Sequence, residues 1–248
     1  MNTYQEFVEA GVKLYLGMTG IQGGVELKPA RLYPPLLIST PPIILIIAPH
    51  PDDECLMGSY ALRLKQDAHA QVWVLPYSYG SKVARQAERK DELNASVGRL
   101  GFKLCEEKIS TATGLLQLIK KLNINIVITP HEEDGHPVHQ QVYALAKEVF
   151  ALAKGSKDAR KCLWLQTEFW RDMKEPNLLI PLHSSQVVQL GEALMCHQGE
   201  IARNPYHLRL PAWFQDQVRK GSEKVAGTGA PASSAVFGQL YHQSMHDI

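Results

Sequence analysis

Four ionisable side chains stand within five positions in His50-Pro51-Asp52-Asp53-Glu54, and two more histidines close the segment His131-Glu-Glu-Asp-Gly-His-Pro-Val-His139. Imidazoles and carboxylates are the donors that divalent ions of the zinc type take, and three such donors leave room for a reacting water. His50 and Asp53 lie three residues apart, so on a first helical turn they can converge on one ion. Asp52 then points elsewhere and is free to act as a base. His136 and His139 repeat that spacing and share a face, so the missing ligand is expected between them. One carboxylate would suffice to cap a helix; three acids and an imidazole set between prolines exceed that need. Either later histidine alone would read as structural. Paired, and facing His50 and Asp53, they read as half of a metal site.

Groups this far apart in sequence meet only if the fold delivers them to one edge. Ile43–Ala48 is a six-residue apolar run rich in β-branched side chains, too short for a membrane span and suited to a strand buried on both faces. Pro49 and Pro51 stop that strand, and Leu56, Met57, Tyr60, Ala61 and Leu64 resume at helical spacing. A second buried strand is expected over 125–130. A helix follows it, with Pro137 in its first turn and Val138, Val142, Leu145, Val149 and Leu152 along its stripe. Both clusters thus fall at strand-to-helix junctions, where open α/β sheets bind ligands. The expected fold is α/β, a Rossmann-like three-layer sandwich with a mostly parallel central sheet.

Ala48-Pro-His-Pro-Asp-Asp-Glu54 followed by Asp134-Gly-His-Pro-Val-His139 resembles the signature pair of the PIG-L/LmbE superfamily of zinc-dependent N-deacetylases. Between them, Arg89-Lys-Asp-Glu-Leu93 and the later Leu100-Gly101 resemble that family's R-x-x-E-L helix and Leu-Gly pair. The resemblance runs over residues 43–200. It implies Zn²⁺ held by His50, Asp53 and His139, Asp52 as general base toward a metal-activated water, and His136 as the group that stabilises the oxyanion or protonates the leaving amine. It also places Arg89 against the substrate, an N-acetylated amino sugar or glycoconjugate that would yield acetate and a free amine. Two departures stand out: Val138 occupies a position that is commonly acidic, and Gly80-Ser81 replaces a common Gly-Glu. The first suggests a lower pKa for His136 unless Asp134, Glu132 or Glu133 compensates.

The chain of 248 residues suits one domain, with a leader over 1–42, the family core over 43–200 and an elaboration over 201–248. A hydrophobic content of 45% with 21% charged residues is that of an ordinary soluble protein. A net charge of +1 gives no reason to expect nucleic acid or an anionic membrane as partner. Cys55, Cys105, Cys162 and Cys196 are far apart and read as free thiols. With no signal peptide or transmembrane helix apparent, a cytoplasmic location is expected. A short amphipathic helix is expected over 2–18. For the leader, packing against the sheet edge is the simpler reading, and a subunit contact in a homo-oligomer the sharper one.

Further strands are expected over 71–75, 102–107 and 162–170, the last leading into a polar loop, and helices over 82–100, 111–122 and 184–202. Tyr206, Arg209, Trp213 and Phe214 suit either a sugar-site floor or peripheral core. A loop over 221–235 and a short C-terminal helix complete the expectation. Three other functions compete. Two histidines and a carboxylate also suit an Fe(II) enzyme, but no cosubstrate site is evident. A nucleotide-binding module lacks G-x-G-x-x-G and would set acids against a pyrophosphate. A non-catalytic glycan-binding relative would not need Asp52 and His136.

Overall fold

The computed structural model describes residues 3–19, 41–156, 159–231 and 233–248. Its strands are Ile43–Ala48 (β1), Gln71–Pro76 (β2), Lys103–Leu104 (β3), Ile126–Pro130 (β4), Lys161–Thr167 (β5), Leu178–Leu182 (β6) and Phe237–Asp247 (β7). They form one sheet in the order β3-β2-β1-β4-β5-β7-β6. The first five pair in parallel, and β7 runs antiparallel between β5 and β6. This is the expected α/β architecture with a mostly parallel sheet.

The helices are Thr3–Thr19 (α1), Asp53–Met57 (α2), Ser59–Ala68 (α3), Gln86–Leu100 (α4), Ala112–Lys121 (α5), Pro137–Ala153 (α6), Ser184–Leu194 (α7), Gln198–Ile201 (α8) and Tyr206–Ala226 (α9). Side chains of β1 alternate between two cores, as strand geometry requires. Ile44, Ile46 and Ala48 join residues of α2, α3, α4, α7 and α9, whereas Leu45 and Ile47 join α5 and α6. All five are fully buried, which accounts for a strand with no polar face.

The chain leaves β1 toward β2 on one side and reaches β4 on the other, so a crevice opens above the carboxyl ends of β1 and β4. Register brings those ends level: Ile44, Leu45 and Ile46 oppose Ile126, Val127 and Ile128. The two histidine-bearing junctions are therefore neighbours, although some 80 residues separate them in sequence.

Several expectations need correction. The strand expected over 102–107 is only Lys103–Leu104, and the helix expected over 184–202 is interrupted, with His197 at the N-cap of α8. Within the stretch expected to be loop, α9 continues to Ala226, and β6 forms where no strand was expected. The expected C-terminal helix is the strand β7. Its sequence, Phe-Gly-Gln-Leu-Tyr-His-Gln-Ser-Met-His-Asp, has no apolar run, so pairing on both edges outweighs the local signal. Of the leader, α1 is described and packs on α7, with Tyr4 lying over Gly191 and donating to the His207 carbonyl at 2.6 Å. Residues 20–40 lie outside the described residues.

Candidate active site

Proline-rich turns set the donors at the crevice. After β1 the chain passes through Pro49 and Pro51 into Asp52, whose φ of 115° lies in the left-handed region. For a residue other than glycine that conformation costs about 1–3 kcal/mol and persists only where the surroundings enforce it. After β4, His136 caps α6: its Nδ1 accepts the Val138 N–H at 3.2 Å, and Pro137 starts the first turn. Because Nδ1 is an acceptor, neutral His136 carries its proton on Nε2.

Asp53 Oδ2 lies 3.4 Å from His50 Nδ1 and 3.4 Å from His139 Nε2. Two donors bound to one tetrahedral zinc at about 2.0–2.1 Å would stand about 3.3 Å apart. The spacing therefore suits ligands around a shared ion better than direct hydrogen bonds. His50, His136 and His139 also bring ring nitrogens within 4.8 Å of one another. Asp53 is oriented by the His50 N–H, which donates to Oδ2 at 2.8 Å. Behind His139, the fully buried Asp134 sets Oδ1 3.3 Å from Nδ1, an outer carboxylate of the kind that orients a ligating imidazole.

The electrostatics follow from this crowding. Burial opposes the ionisation of Asp53, but His139 and His50 outweigh it and hold its carboxyl below the usual range. Burial likewise works against a charged His139, but Asp53 and Asp134 raise its pKa to about 10. An incoming cation must therefore displace a proton there. The Asp52 carboxyl is pushed well up, first by burial and then by the charges of Asp53 and Glu54, with Arg89 opposing. His136 falls below its ordinary value because it is partly buried beside His50 and His139. Neither Glu132 nor Glu133 reaches it. They pair at the surface with Lys147 at 3.1 Å and Lys174 at 2.5 Å, while Asp134 accepts the His136 N–H at 3.0 Å.

All six residues singled out from the sequence line one cavity of about 810 Å³: His50, Asp52, Asp53, Arg89, His136 and His139. Arg89 is held rather than free. Its guanidinium donates to the carbonyls of Tyr79 at 3.3 Å and Pro51 at 3.0 Å and lies 3.7 Å from Glu200. Gly80, at φ 90°, admits it, since a Cβ there would come within 2.5 Å of its Nη1. Glu92, three residues on, pairs with Arg85 rather than with Arg89, at 3.8 Å.

Other contributors left little trace in the sequence. Phe169 and Trp170, from the loop after β5, form an aromatic wall with Tyr206, with ring centroids 5.0–6.1 Å apart. Among the four aromatic and cationic residues weighed as a sugar floor, only Tyr206 lines the cavity, and Phe214 is fully buried. Beneath Asp52 lies a second cluster. Glu54 accepts from His197 Nε2 at 2.7 Å, from the Ser96 hydroxyl and from the Cys55 thiol at 3.3 Å, all fully buried. Burial opposes Glu54 ionisation, but His197, Ser96 and the Asp52 N–H hold its carboxyl below the usual value.

Residues 45–150 match the family model described as PIG-L: GlcNAc-PI de-N-acetylase. Among solved structures, the conserved protein TT1542 from Thermus thermophilus superposes with a TM-score of 0.62 at 18% identity, covering 80% of this chain and 93% of its own. GalB, the 4-carboxy-2-hydroxymuconate hydratase from Pseudomonas putida KT2440, gives 0.61 at 17% identity over 82% and 95%. The N,N'-diacetylchitobiose deacetylase from Pyrococcus horikoshii gives 0.58 at 15% identity over 98% and 94%. At such identities these likenesses establish the fold, and one fold here carries both a hydratase and a deacetylase.

Proposed function

From the PIG-L family segment at residues 45–150, we propose that this protein is a metal-dependent hydrolase that removes the N-acetyl group from an N-acetylated amino sugar or glycoconjugate. The observation that carries the reading is the placement of Asp53 Oδ2 3.4 Å from both His50 Nδ1 and His139 Nε2, beside an unligated Asp52. A divalent ion held by these three residues, zinc being the ion that the donor set suits, would lower the pKa of a coordinated water and polarise the amide carbonyl.

The chain's own groups do the rest. The Asp52 carboxylate takes the proton of the attacking water. His136 Nε2–H faces the charge that develops on the carbonyl oxygen or gives its proton to the departing amine. Asp134 fixes the ring of His139. The aromatic wall of Phe169, Trp170 and Tyr206 offers an apolar face to a pyranose ring in the cavity that Arg89 also lines. A cavity of about 810 Å³ exceeds the needs of one sugar, which supports a substrate with an attached group.

The test is acetate release from a panel of free, nucleotide-linked and lipid-linked N-acetylated amino sugars, with protein reconstituted with Zn²⁺. The expected result is one acetate and one primary amine per turnover from at least one class, lost on chelation and restored by metal. Zinc-loaded protein that releases no acetate from any class would overturn the reading.

A further inference from the structure

The machinery described so far leaves unexplained why Asp52 holds a left-handed backbone at the centre of the site. The Asp52 side chain makes no cap bond to α2 that would hold it so. Its backbone N–H instead donates to Glu54 Oε2 at 2.9 Å. Glu54 is in turn fixed from two other elements, by Ser96 of α4 and by His197 before α8, and by its neighbour Cys55 within α2. A carboxylate can only accept, so the His197 Nε2 facing it at 2.7 Å must donate. His197 and Glu54 are fully buried, and neither lines the cavity.

We propose that His197, acting through Glu54, is a positioning residue for Asp52: its N–H locks Glu54, which pins the Asp52 amide and so aims the Asp52 carboxylate into the cavity. The proposal rests on Asp52 acting on substrate as described above. The chain of contacts is short and directional. His197 Nε2–H holds Oε1 of Glu54, and Oε2 of the same carboxylate receives the Asp52 N–H. Without His197, Glu54 keeps Ser96 and Cys55 but loses the donor that reaches it from the start of α8, and can rotate. The Asp52 turn then relaxes toward an ordinary backbone, and the carboxylate swings off its aim. The metal ligands are spared, since Asp53 takes its orientation from the His50 N–H and the two imidazoles. The interruption between α7 and α8 thereby gains a purpose: it turns His197 inward to the site.

The experiment compares His197→Ala with His197→Gln, whose amide keeps an N–H donor. Each zinc-loaded variant is assayed for kcat and KM by acetate release, for bound zinc, and for exchange of the Asp52 amide hydrogen by NMR relative to the Ile46 amide. His197→Ala should lower kcat by at least about tenfold with KM and zinc content unchanged, and should speed Asp52 exchange while leaving Ile46 protected. His197→Gln should recover most of both. The proposal is overturned if Asp52 exchange and kcat stay at wild-type values in His197→Ala. It is equally overturned if Asp52 and Ile46 exchange accelerate together and Gln restores nothing, which is the mark of general destabilisation. Should the wild type release no acetate, the functional reading fails, while the exchange comparison still decides whether His197 holds Asp52.

Discussion

Two buried acids stand at the carboxyl edge of the sheet, Asp53 after β1 and Glu168 after β5, and their surroundings are built to opposite ends. Glu168 is closed. Its Oε2 accepts the Met173 N–H at 2.6 Å, and its Oε1 accepts from Gln217 at 2.6 Å and from Lys220, which also holds Asp172 at 2.9 Å and Asp216 at 3.3 Å. Asp53 is open. Beyond one backbone N–H, its neighbours are two imidazoles at 3.4 Å, longer than a good N–H···O bond. A network in which both carboxylate oxygens meet close donors holds the fold together. One whose donors converge on a common point without bonding each other is arranged for something to sit between them.

That contrast can be broken most severely at Asp53. Asp53→Asn should abolish stoichiometric zinc binding and with it acetate release, activity returning in part at high added metal. Full metal content in this variant would place the acid in the closed class. Asp52→Asn is the companion. It should keep zinc and lower the rate by about 10²–10⁴-fold, the usual worth of a general base. Loss of metal from Asp52→Asn, with retention in Asp53→Asn, would reverse the two roles.

At the closed site the expected effect is on stability. Lys220→Met strands a buried carboxylate and should cost about 3–5 kcal/mol in chemical denaturation, with zinc content unchanged. Adding Glu168→Gln to that variant should return much of the loss, because the uncompensated charge is then gone. A double variant no more stable than the single one would contradict this account of Glu168.

How much of this could be read in the sequence follows from the same comparison. His50, Asp52 and Asp53 are adjacent, and His136 and His139 share one turn, so local spacing was enough to bring them out. The parallel half of the sheet was equally legible, because strands buried on both faces are unbroken apolar runs. Lys220 lies 52 residues from Glu168, and His197 lies 143 from Glu54. No short pattern marks such pairs. Strand β7 was hidden for the related reason that its partners β5 and β6 supply what its own sequence lacks.

Smaller effects sharpen the outer parts of the open site. Asp134→Asn removes the carboxylate behind His139 and should weaken zinc affinity by about 10–100-fold in competition with a chelator, without unfolding the protein. Unchanged affinity would mean that Asp134 serves only the His136 N–H and the entry to α6. Arg89→Ala should lower kcat/KM by about tenfold, the scale of one charge-assisted hydrogen bond, with zinc content intact. A drop in stability alone would show that its contacts with Tyr79 and Pro51 are its whole purpose.

The central claim is that an ion belongs between His50, Asp53 and His139. Anomalous scattering at the zinc edge, from crystals of the reconstituted protein, addresses it directly. The account predicts one strong peak about 2.0–2.2 Å from His50 Nδ1, Asp53 Oδ2 and His139 Nε2, with Asp52 outside bonding distance. A peak ligated by Asp52 in place of Asp53, or one within the buried Glu54, Cys55 and His197 cluster, would contradict it.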